Sequence, residues 1–170
     1  MQRLIHANLH YLKQAEALLA RLDDDCYAKP APSFYNSSVG GHLRHCLEHY
    51  LSFLEGVESG RVDYDHRERN QSVEAETGCA CGEVLNISQR LESLLESENP
   101  VGLLVKMDCG GEDIEWQPST VGRELQFLVS HTVHHFAMIG GICKSMELEL
   151  ESDFGVAPST VRHRAEVEAS

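Results

Sequence analysis

The chain has 170 residues, 42% hydrophobic and 24% charged, with a formal net charge of −13 at neutral pH. That length suits one domain with its own core, and the acidic balance argues against a nucleic-acid or anionic-membrane partner. No apolar run approaches the ~20 residues of a membrane span, and the opening MQRLIHANLHYLKQ lacks a signal core, so the expected address is the cytoplasm.

Leu4, Ile5, Leu9, Leu12, Ala15, Leu18, Leu19 and Leu22 recur at helical spacing and predict a first helix over about 3–24. His6 and His10 fall at its surface or edge. DDDCYAKPAPSFYNSS breaks the period with two prolines. Ser37 or Ser38 then caps a second helix, about 38–58, whose apolar face holds Val39, Leu43, Cys46, Leu47, Tyr50, Leu51 and Leu54. Gly60 is its stop. GRVDYDHRERNQSVE is charged and mostly aperiodic, and predicts a long connection over about 60–76. Its alternating Asp63, Asp65, Arg67 and Arg69 suit a solvated loop with ion pairs of little worth. Were the segment to cross an open end of the fold, its arginines would instead meet an anionic ligand.

Val84, Leu85, Ile87, Leu91, Leu94 and Leu95 predict a third helix over about 77–97, ended by Asn99-Pro100. VGLLVKM and DIEWQ flank Asp108-Cys109-Gly110-Gly111 and suggest a hairpin. A fourth helix starts near Ser119, with Thr120 as the other candidate cap and Glu124 in its first turns. It runs to about 146 through Leu125, Leu128, Val129, His135, Phe136, Ile139, Ile142 and Cys143. Residues 151–170, with Gly155 and Pro158, read as an extended or partly disordered tail, which leaves 1–150 as the domain. The fold class expected is all-α: an antiparallel four-helix bundle with a long link between helices 2 and 3 and a small hairpin before helix 4.

Six cysteines, Cys26, Cys46, Cys79, Cys81, Cys109 and Cys143, read as reduced thiols. Cys79-Ala80-Cys81 is too tightly spaced for a zinc ribbon and has no second pair. Cys46 and Cys143 fall on apolar arcs, where buried thiols are inert, although each has a histidine within reach along its helix. Glu48 is expected on a solvated helix face, with a base or a carboxylate behind the histidines as the other reading.

Ten histidines are many for this length. In SHTVHHFAMIGG, His131 and His135 are one turn apart on the apolar side of the last helix, while His134 lies further round. Such a pair can converge on one ion. A third ligand can come from His42, His45 or His49 on the second helix, where His45 and His49 repeat the same spacing. On a helical wheel His42 and His49 lie nearer the apolar centre than His45. Histidines that only hydrogen-bond inside a bundle are the competing reading.

SVGGHLRHCLEHY on one helix and RELQFLVSHTVHHFAMIGG on the last resemble the DinB-like superfamily of metal-binding four-helix bundles, over roughly 1–146. The resemblance implies one ligand seven residues after the capping Ser of the second helix, here His45, and the H-x-x-x-H pair, here His131 and His135. His49 is then an alternative ligand or a partner behind the ligands. It also implies a divalent ion (zinc, nickel or iron) and chemistry of the superfamily's thiol-dependent kind, with a low-molecular-weight thiol as second cofactor.

The residues themselves leave the catalytic group unassigned. Three imidazoles without a fourth evident ligand suit a metal-dependent enzyme, a transferase or hydrolase activating a thiol or water on a small-molecule substrate. The absence of a recognisable base or nucleophile suits instead a non-catalytic, metal-stabilised sensor or interaction module. An apolar helix edge is compatible with a homodimer.

Overall fold

Apolar residues at helical spacing fold Gln2–Leu19 into α1, which buries Ile5, Leu9, Leu12, Ala15 and Leu18. A computed structural model describes residues 1–96, 102–110 and 115–169. α1 ends earlier than its apolar period, because the Asp23 side chain accepts from the Cys26 N–H at 2.7 Å and caps a separate helix, α2 (Asp24–Ala28). A short 3-10 turn over Pro32–Phe34 follows. α3 (Val39–Ser59) begins where Ser38 Oγ accepts from the Gly41 N–H at 2.9 Å and ends at Gly60, whose φ of 76° is left-handed.

The expected link over 60–76 is more ordered than its charges suggest. It contains β1 (Arg61–Asp63) and α4 (Gln71–Ala75), and it buries Val62, Tyr64 and Val73. Val62 and Tyr64 alternate with Arg61, Asp63 and Asp65, which is strand period hidden among charges. α5 (Thr77–Ser93) follows, then β2 (Leu103–Lys106), β3 (Gln117–Ser119) and α6 (Val121–Ser145), capped by Thr120 Oγ1. The hairpin is present, with β2 antiparallel to β3 and Val105 opposite Gln117. Its second strand begins at Gln117, the last residue of the DIEWQ run. Asn99-Pro100, and Gly111 with Asp113 and Ile114 of the expected turn and strand, lie outside the described residues.

β1 adds in parallel to the outer side of β2, Val62 beside Val105, so an all-α class is corrected to a mostly helical fold with a three-stranded sheet. The four long helices make the core. α3 packs on both α6 and α5, and α1 on both α5 and α6. Gly40 lets the start of α3 meet α4 closely, since a Cβ there would lie 2.0 Å from the Glu74 carbonyl oxygen.

Beyond α6 the chain turns back on α1. Tyr11 OH donates to the Val156 carbonyl at 2.8 Å, and the Phe154 ring stacks on Phe136 with centroids 4.9 Å apart. An exposed helix, α7 (Pro158–Glu168), stands in the segment expected to be an extended or partly disordered tail. Among the described residues no helix is long and apolar enough to cross a membrane.

Candidate metal centre

The Ser38 cap fixes where α3 starts, and so puts His42, His45 and His49 on its first three turns. α6 runs past them in the opposite sense. His42 and His45 meet His135, and His45 and His49 meet His131. One nitrogen each from His45, His131 and His135 lies within 4.8 Å of the others, and all three side chains are half-buried. His134 points outward and is exposed.

The second nitrogen of each ring says what the first is free to do. His135 Nδ1 is 3.0 Å from His42 Nδ1, which leaves Nε2 of His135 available. His131 Nε2 is buried with no hydrogen-bond partner among the described residues. Such an orphan is uncommon in a folded protein, and a ligand is one of its ordinary explanations. His45 Nδ1 accepts from Arg67 Nη1 at 2.6 Å.

All three imidazoles are held in the neutral, metal-binding form. Burial is the first cause each time, and neighbouring histidines add to it: His45 is pushed down to about 2, His131 to about 3 and His135 to about 4. His42 and His49 are lowered as well, again by burial first.

His49 is buried and does not join the trio. Its Nδ1–H donates to the His45 carbonyl at 2.8 Å, so the ring is tied to its own helix. It packs on His131 with centroids 4.1 Å apart and on Tyr64 at 5.3 Å. Tyr64 OH donates in turn to Glu124 Oε2 at 2.9 Å, and Ser119 Oγ donates to Glu124 Oε1. Glu124, read from sequence as a first-turn carboxylate, is buried and steadies the wall behind the histidines.

Glu48 corrects its expectation too: it is buried, not solvated. Its Oε1 accepts from Arg44 Nη1 at 2.6 Å, and its Oε2 lies 3.8 Å from Arg67 Nη1. Arg44 Nε reaches Glu74 Oε2 at 2.8 Å. Arg44, Glu48 and Arg67 border a cavity of about 120 Å³ that is also lined by Leu47, Leu51 and Val73. Cys46 and Cys143 are buried with their thiols pushed up by burial, Cys143 to about 11, as inert structural cysteines should be.

Sequence reasoning named His42 only as a candidate ligand and Glu124 only as a first-turn carboxylate, and it missed Tyr64 and the inward turn of Arg67. Only the Val62–Tyr64 alternation carried a signal. Helix spacing does not report which polar side chains a neighbouring segment covers.

The model of the DinB superfamily matches residues 11–139. A 104-residue stretch, 60% of the chain, is 33% identical to part of a protein named FK506-binding protein 5 from Rhizopus delemar. The match spans 27% of that relative's length. No solved structure matches the chain.

Proposed function

The chain belongs to the DinB superfamily, and from that premise we propose that His45, His131 and His135 hold one divalent metal ion in a metal-dependent enzyme for a small-molecule substrate. The observation that carries this reading is His131 Nε2, buried with no hydrogen-bond partner among the described residues, with neutral imidazoles of two helices around it. Four long helices, taken as an antiparallel bundle, are a scaffold on which such centres are built from facing side chains.

Three protein ligands leave coordination positions open, and zinc, nickel or iron bound there would lower the pKa of a thiol or water. The chain's own residues do the rest. With an ion on His135 Nε2, His135 Nδ1 would carry the proton and donate to His42 Nδ1, 3.0 Å away, so that His42 fixes which nitrogen faces the ion, the part an outer partner plays at many histidine sites. His49 packs on His131, and Tyr64 packs on His49 behind it, which keeps water from that face. With Cys46 and Cys143 buried, the attacking group is supplied by a low-molecular-weight thiol or by water.

Metal analysis of the purified protein after supplementation tests the site. About one equivalent is expected, and less than a tenth in both the wild type and His131→Ala would remove it. A panel of small thiols with electrophilic substrates tests the activity, with turnover abolished by His135→Ala as the expected result. A second reading, a non-catalytic metal-stabilised sensor or interaction module, is favoured by the lack of a recognisable general base or nucleophile beside the three histidines among the described residues. Metal binding without turnover across the panel would support it.

A further inference from the structure

Arg67 sits between β1 and α4 with its side chain 17% exposed, and its contact with His45 is incompatible with a metal on that ring. A guanidinium has no acceptor, so Nη1 must donate and His45 Nδ1 must accept. A neutral imidazole has one N–H, which then lies on Nε2. If an ion takes Nε2, the proton moves to Nδ1 and faces the guanidinium donor across 2.6 Å. If an ion takes Nδ1, Arg67 Nη1 stands where the ion must be. Either nitrogen leads to the same exclusion.

The displaced guanidinium has one unmatched acceptor nearby, Glu48 Oε2, which is buried with no hydrogen-bond partner among the described residues. Arg67 Nε is already buried without a hydrogen-bond partner among the described residues. Glu48 Oε2, at 3.8 Å, belongs to a carboxylate that also holds Arg44. Arg44 and Arg67 are matched in charge by Glu48 and Glu74, so a divalent ion would leave this corner two charges positive. Of the other carboxylates lining the cavity, Glu55 and Glu68 are exposed and screened by water, while Glu83 is half-buried and accepts from Asn86 Nδ2 at 2.7 Å.

We infer that Arg67 is a stand-in cation, donating to His45 until a metal ion displaces it and then anchoring a carboxylate of the small-molecule ligand beside that ion. This rests on the metal reading above. A guanidinium suits a carboxylate because its paired N–H groups match the two oxygens.

Calorimetric titration of zinc into ion-free wild type, Arg67→Ala and Arg67→Gln tests the displacement. Removing the competitor should tighten zinc binding by about tenfold or more, the worth of one charge-assisted hydrogen bond. Nitrogen-15 NMR of the ion-free wild type should show His45 protonated at Nε2, with that preference lost in both variants. Acetate titrated into the cobalt-loaded proteins should perturb the visible spectrum at about tenfold lower concentration in wild type than in Arg67→Gln. Unchanged zinc affinity in two folded variants, a His45 proton on Nδ1 in ion-free wild type, or equal acetate affinity would overturn the inference. A wild type that binds no metal would overturn the metal reading itself, whereas metal binding indifferent to Arg67 would overturn only this inference.

Discussion

Two polar clusters lie on the same turns of α3 and α6 and differ in one respect. On the core side, Tyr50 OH donates to Asn8 Oδ1 at 2.8 Å and accepts from Thr132 Oγ1 at 3.2 Å. Asn8 Nδ2 donates to the Leu4 and Leu125 carbonyls, so that cluster is closed, with each donor matched to an acceptor. On the other side, His131 Nε2 and His42 Nε2 are buried with no partner among the described residues. Leaving a buried polar group unmatched costs about 1–3 kcal/mol. A closed network stabilises the fold by itself, whereas an open one is retained for what it can bind.

Acid should separate the two clusters most sharply. The folded protein holds His45, His131 and His135 below their ordinary value, so the unfolded chain binds more protons below pH 6.5. Their contribution is fully present above pH 6.5 and is lost as pH falls through 6.5 toward about 4. The ion-free melting temperature should therefore drop steeply between pH 7.5 and pH 4.5. A flat profile over that range would count against the buried, neutral histidines. The Asn8–Tyr50–Thr132 network does not titrate in this window and should add nothing to the slope.

Substitution should split stability from binding. His131→Ala is expected to weaken metal binding by more than the ~100-fold seen when an outer partner of a site is lost, and to remove the rise in melting temperature that a bound ion brings. Tyr50→Phe leaves Asn8 Oδ1 without its donor and should cost about 1–3 kcal/mol in denaturant unfolding, with metal stoichiometry unchanged. If Tyr50→Phe loses the metal, or His131→Ala leaves binding intact, the division between the clusters fails.

Smaller effects refine it. His42→Ala should weaken metal binding by about 10-fold through the loss of the His135 Nδ1 partner, and an unchanged affinity would show that His135 needs no such support. His134→Ala, at an exposed position, should change neither binding nor stability by more than about 0.5 kcal/mol.

The long helices were legible because each announces itself locally. Ser38 and Thr120 cap α3 and α6 with side-chain oxygens, Gly60 stops α3, and apolar residues recur on one face between these marks. The link over 60–76 was illegible for the opposite reason. Its charges masked a two-residue alternation at Val62 and Tyr64, and β1 is a strand only because β2, some forty residues later, lies beside it. Glu48 shows the same limit at a single residue. On its own helix it is one more carboxylate beside histidines, and it is buried because Arg67 arrives from another segment.

The sequence by itself determined the four long helices, their order and the turn-by-turn spacing that puts His131 over His135, because caps and periodicity act within a few residues. Only the tertiary structure decided that Arg67 meets His45, that His42 backs His135 and that Tyr64 with Glu124 walls the site. Those contacts join segments 22 to 93 residues apart, and at that separation it is packing, not local propensity, that selects which groups share a hydrogen bond.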